Sequence, residues 1–176
     1  MIETSAEPDV INFGPLPAPI NALLQQGVLA YRDDYARADA LFRQALQAAP
    51  DQLPVYFCLY KIHTYRGNLE DAQAVAESGL REAARQAGWN ADWRQWCPEP
   101  DMPDGPGRFA LYTLKALAFI NLRQNLHDEA QRKLDALKIL DPSGAVGWRV
   151  IDALAEGVVP EGTVRNPSAP TPGRVN

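Results

Sequence analysis

Cysteine and histidine are scarce in this chain, and their scarcity removes whole classes of chemistry. Cys58, Cys97, His63 and His127 are the only ones among 176 residues. Two cysteines do not make a disulfide framework. A structural zinc site takes about four ligands, and these four residues are scattered. Cys58 and His63 are five apart, off the spacing that lets one helix face present both. Gly-x-Gly-x-x-Gly, Walker and Gly-x-Ser-x-Gly sequences are also missing. No catalytic, cofactor-binding or metal-binding residue is therefore expected. No basic run of five or more residues occurs, and the net charge is −5. Both argue against a nucleic-acid partner. The longest apolar run, around residues 109–122, is interrupted by Lys115 and is too short to span a bilayer. The first residues carry Glu3, Glu7 and Asp9 rather than a basic-then-apolar signal pattern. The expectation is a soluble, cytoplasmic protein without membrane contact.

What is present is helical periodicity punctuated by proline and glycine. Residues 1–18 contain Pro8, Pro15 and Pro17 and no helical period, so they are expected to be extended or mobile. Pro19 suits the first turn of a helix, and Ile20, Leu23, Leu24, Gly27, Val28 and Tyr31 follow at helical spacing. Asp34 is a candidate N-cap for a helix over 35–49, which Pro50 stops. Tyr56, Leu59, Tyr60, Ile62 and His63 predict a helix ending at Gly67. Asn68 can cap the next helix, with Glu70 and Asp71 well placed against its positive end. No proline interrupts that helix, so it runs to about Ala87, where Gly88 can end it. An insertion at 88–107 follows. Its tryptophan stretch 89–96 can form a short helix, and 97–107, with four prolines and two glycines, reads as a loop. Helices are then predicted over 108–123, 126–140 and 144–156. The tail, 157–176, has Pro160, Pro167, Pro170 and Pro172 and almost no large apolar residue, which predicts disorder.

Two stretches repeat each other 34 residues apart. Tyr35, Ala38, Phe42 and Ala45 stand at the offsets of Leu69, Ala72, Ala76 and Gly79. That period means stacked helix–turn–helix units. Small residues are needed where two helices of one unit cross closely. On Gly27, Tyr35, Ala38, Phe42, Ala45 and Pro50, then on Tyr56, Leu59, Gly67, Leu69, Ala72, Gly79 and Leu80, the chain resembles the tetratricopeptide repeat family. A third unit matches at Leu114, Leu117, Ala118, Ala130, Leu134 and Pro142. The resemblance covers about 20–87 and 108–156. It implies an all-α fold: a short right-handed α-solenoid with repeats at 19–52, 53–87 and 108–142. The last helix would cap the exposed end. Both histidines read as packed side chains, His63 at an aromatic position and His127 at the place of Tyr35.

The family mostly binds proteins, through the first helix of each repeat. Carrying its groove positions over gives Leu24, Val28, Tyr31 and Arg32, then Phe57, Lys61, Thr64 and Tyr65, then Tyr112, Lys115, Phe119 and Arg123. This set is aromatic and basic on an acidic chain, and it suits a partner segment with acidic and apolar residues. The alternative is that the aromatics are core and the charges a solvated face. The family's carboxylate clamp is not reproduced, because its asparagine position reads Cys58 and its lysine position Leu24.

Trp89, Trp93 and Trp96 share one face if the segment is helical. They either fold back onto the long preceding helix or form an exposed, self-associating interface. The stretch 53–60 is similar to repeat proteins that accompany bacterial nitrogen-fixation systems. That likeness implies an assembly factor or chaperone for a subunit of a larger enzyme. The leading expectation is a non-catalytic adaptor that binds through the groove.

Overall fold

The computed structural model describes residues 11–157. The expectations for residues 1–10 and for the tail from 158 onward lie outside the described residues. Within them the chain forms seven α-helices and no strand. These are α1 (Ala18–Tyr31), α2 (Tyr35–Ala48), α3 (Leu53–Arg66), α4 (Leu69–Ala87), α5 (Gly105–Arg123), α6 (His127–Leu140) and α7 (Trp148–Ala155). A single 3-10 turn, Trp93–Gln95, lies between α4 and α5. No described helix is long and apolar enough to cross a membrane.

Local signals account for most of the helix ends. The Asp34 side chain accepts from the Arg37 backbone N–H at 3.0 Å, capping α2. Gly67 and Gly88 follow α3 and α4 with positive φ, and their N–H groups return to carbonyls of the last turn. The Asn68 side chain does not cap α4. Its amide instead donates to the Tyr35 hydroxyl at 2.9 Å. Helix α5 starts at Gly105, before the expected Arg108, because Pro106 fits a first turn. Helix α7 starts at Trp148 rather than 144, because Asp141 holds the preceding turn. Its buried carboxylate accepts from the N–H groups of Ala145 and Val146 at 3.0 and 2.9 Å, and its carbonyl accepts from the Trp148 indole at 2.7 Å.

Consecutive helices pack as neighbours, and α1 also touches α3, α3 touches α5, and α5 touches α7. The core has two lobes. Leu24, Phe42, Val55 and Leu59 are buried in the first, and Leu80, Leu111, Leu114, Leu134 and Leu137 in the second. Leu46, Phe57 and Val75 pack against both. Each fully buried large side chain contributes about 1.5–3 kcal/mol relative to exposure.

Glycines set how closely the pairs approach. A Cβ at Gly27 of α1 would overlap the Phe42 ring of α2. One at Gly79 of α4 would lie 2.8 Å from Cβ of Tyr56 on α3. One at Gly107 of α5 would meet Pro103 at 2.9 Å and the Trp89 ring at 3.1 Å.

A polar chain centred on the buried His63 ties the first pair to the second. Asn68 donates to Tyr35, and the Tyr35 hydroxyl lies 2.6 Å from His63 Nδ1. His63 Nε2 lies 2.8 Å from Asp39, whose carboxylate also accepts from Arg43. An imidazole protonated at Nε2 satisfies both ends, donating to Asp39 and accepting from Tyr35. His63 is therefore packed, as expected. His127 is exposed at the start of α6, which corrects the expectation of a second packed histidine. Tyr35 finds a partner on the following long helix, and α6 is followed only by the short α7.

Gly79→Ala isolates the close approach. Alanine is the better helix former by about 1 kcal/mol, yet the clash falls on a Cβ fixed to backbone and costs about 1–3 kcal/mol as overpacking. Urea denaturation should give a lower midpoint for Gly79→Ala. An unchanged or higher midpoint contradicts the packing described.

Candidate peptide-binding groove

The odd-numbered helices leave one face of each outside the core, and these faces meet in a groove. Phe57, Lys61 and Tyr65 recur every fourth residue on α3 and form its central ridge. On one side a cleft of about 320 Å³ is bounded by that ridge, by Tyr112, Lys115 and Phe119 of α5, and by Ile151 of α7. On the other, a cleft of about 220 Å³ is bounded by the same ridge, by Val28 and Tyr31 of α1, and by Ile11 and Phe13. The Phe57 and Tyr112 rings stand 5.9 Å apart and close the floor between α3 and α5.

The cations of this groove sit against rings. Lys61 Nζ lies 5.0 Å from the Phe57 ring centre and 5.7 Å from that of Tyr65. Lys115 Nζ lies 3.8 Å from the Tyr112 ring centre. Such contacts hold an ammonium in place without neutralising it. Among the described residues no carboxylate forms an ion pair with Lys61, Lys115 or Arg123. Burial pushes the Lys115 ammonium below its ordinary value, since a charge in a partly dry cleft loses hydration. Burial likewise raises the Tyr112 phenol, with a smaller push from Tyr65.

The twelve residues expected to bind divide as follows. Phe57, Lys61, Thr64, Tyr65, Tyr112, Lys115 and Phe119 line the larger cleft. Val28 and Tyr31 line the smaller one. Arg123 stands at the edge, 5.9 Å from the Phe119 ring centre, with Nη1 3.5 Å from the Thr64 carbonyl. Arg32 is exposed at the C-cap of α1 and borders neither cleft. Leu24 is fully buried in the first core lobe, so the structure places it in packing rather than in the groove. Thr64 reaches the cleft but is buried, and its hydroxyl donates back to the Tyr60 carbonyl at 2.6 Å. It shapes the wall and offers no free donor. Ile11, Phe13 and Ile151 are groove residues that the sequence reading missed. Nothing local marks them, because each arrives from a segment whose path is set by packing.

A wider, mostly polar cleft of about 610 Å³ lies at the loop ends, bounded by Asn68, Glu70, Asp71 and Gln124. It holds no aromatic side chain and no cation. The tryptophan segment is elsewhere again. Only Trp93–Gln95 is helical, so the three indoles do not share a helix face. All three are half-buried against the second core lobe, with the Trp89 and Trp96 rings 5.0 Å apart. The Trp89 and Trp96 indoles donate to Glu99 and to the Asn90 carbonyl.

Cys58 lies beside the smaller cleft but is buried, and desolvation pushes its thiol up to about 12. Cys97 is exposed. Native protein treated with a chromogenic disulfide reagent at pH 8 should release one thiol equivalent quickly, from Cys97, and a second only on unfolding. Rapid modification of both would contradict the burial of Cys58.

Compared with protein-family models, with curated proteins and with solved structures, the chain matches none.

Proposed function

We propose that this chain is a non-catalytic interaction protein whose groove takes an extended or helical segment of a protein partner rich in acidic and apolar residues. The helices would form a short right-handed solenoid of tetratricopeptide-like pairs, with α7 as its cap. The observation that carries the reading is the convergence on one surface of Phe57, Tyr65, Tyr112 and Phe119 with Lys61 and Lys115, two ammonium groups without a described carboxylate partner. Carboxylates of the partner supply the missing counter-charge, and its apolar side chains lie on the rings. The rings are stiff and already placed, so little ordering cost falls on the protein when it binds.

Lys115 ties binding to stability. Its folded-state value is depressed, so the unfolded chain holds this proton more tightly. The group therefore opposes folding while it stays charged, and stability gains as pH rises from the folded value toward the ordinary 10.5. A bound carboxylate offsets that cost.

A fluorescein-labelled peptide of about eight residues alternating Glu or Asp with Leu or Phe is a direct probe, with a Lys-for-acid peptide as control. Anisotropy should detect the acidic peptide and not the basic one, with affinity falling as salt rises. The Lys61→Glu, Lys115→Glu double variant should lose at least tenfold in affinity. Lys115→Met should weaken binding without lowering the melting midpoint. Equal binding of both peptides, or unchanged affinity in the double variant, would overturn the assignment.

A further inference from the structure

The smaller cleft is already partly filled by the chain itself. Ile11 and Phe13 line it opposite Tyr31, Phe57 and Tyr65. The segment is anchored there by a hydrogen bond from Gln25 Nε2 to the Ile11 carbonyl at 2.7 Å. Gly14 turns it away toward α1 with a φ of 81°, its N–H donating to the Asn12 side chain. The described chain thus begins inside the groove, beside Lys61.

The ten residues before Ile11 read Met-Ile-Glu-Thr-Ser-Ala-Glu-Pro-Asp-Val. They carry Glu3, Glu7 and Asp9, no lysine or arginine, and the apolar Ile2 and Val10. This is the chemistry that the groove selects. Ten extended residues reach about 33 Å, and neighbouring helix axes lie about 8–10 Å apart. The segment is long enough to pass Lys61 and reach Lys115. We propose that residues 1–10 are an intramolecular ligand of the groove, their carboxylates meeting Lys61 and Lys115, so that a partner must displace them. The inference rests on the groove reading above.

Tethering makes even a weak ligand effective. A short linker gives an effective concentration of about 1 mM, so a segment with a Kd of about 0.1 mM would occupy the groove roughly nine-tenths of the time and weaken an outside ligand about tenfold. The device sets a threshold: a partner needs more than one carboxylate and one apolar contact to compete.

The test uses the full chain throughout. Neutralising the segment with Glu3→Gln, Glu7→Gln and Asp9→Asn leaves every described residue unchanged. The acidic–apolar probe peptide should bind this variant at least fivefold more tightly than the wild type. A free labelled peptide of residues 1–10 should also bind the neutralised variant, bind the wild type at least fivefold more weakly, and fail on the neutralised variant carrying Lys61→Glu and Lys115→Glu. Equal probe affinity for wild type and neutralised variant, or no binding of the free peptide to the neutralised variant, overturns the intramolecular ligand. If the acidic–apolar probe still binds in that case, the groove reading stands alone. If neither peptide binds either protein, both fall.

Discussion

Two helices can pack only as closely as their bulkiest facing side chains allow, and here glycine removes that limit at chosen points. The Phe42 ring occupies the place of the missing side chain at Gly27, and the Tyr56 Cβ the one at Gly79. Each helix pair is thereby drawn together on one side. The large apolar side chains of α1, α3 and α5 that face these contacts are consumed by the core. Those on their other faces are not, and they meet along the line where α1 touches α3, α3 touches α5 and α5 touches α7. The aromatic groove is the remainder left by the close approach.

That remainder is chemically unbalanced. A chain of net charge −5 keeps two of its four lysines, Lys61 and Lys115, against aromatic rings on this surface. The two lysines elsewhere are paired, Lys133 with Glu129 and Lys138 with Asp152. Of the arginines, Arg43, Arg85, Arg94 and Arg132 form ion pairs, while Arg66, Arg81, Arg108 and Arg149 form none among the described residues. Lys133 offers the sharpest contrast. It is buried where Lys115 is half-buried, it too stands over a ring, that of Trp93, and burial lowers it as well, yet Glu129 lies 3.7 Å away to compensate. Lys115 has no such neighbour among the described residues. The difference between the two lysines is what separates a packed cation from one open to a ligand.

Much of this was legible in the sequence, and the failures have physical causes. The alternation of Gly27, Ala38, Ala72 and Gly79 with Phe42 and Tyr56 identified the crossing points, because steric demand leaves little choice there. The α3 ridge was legible because Phe57, Lys61 and Tyr65 repeat at helical spacing within one helix. Leu24 was misplaced because a slip of one residue rotates a helix face by about 100°, which turns Leu24 into the first core lobe. The α7 start was misread because a buried carboxylate, Asp141, organises the turn before it through hydrogen bonds that no periodicity reveals. Ile11, Phe13 and Ile151 were invisible because only tertiary packing brings them to the groove. The tryptophan segment folds back on the core, the first of the two readings offered for it, but as a loop around a single 3-10 turn rather than a short helix, with Gly107 leaving room for Trp89.

The central claim is that ligands meet the odd-numbered helices and not the opposite surface. Tyr65 and Ile139 are equally exposed, at 65% and 64%, with Tyr65 in the groove and Ile139 beside Trp93 and Trp96. A photo-crosslinking amino acid placed at each position in turn, and irradiated with the acidic–apolar probe peptide, compares the two surfaces directly. The account predicts an adduct at position 65 and none at position 139. An adduct at 139 without one at 65 would contradict it and move the interface to the tryptophan side.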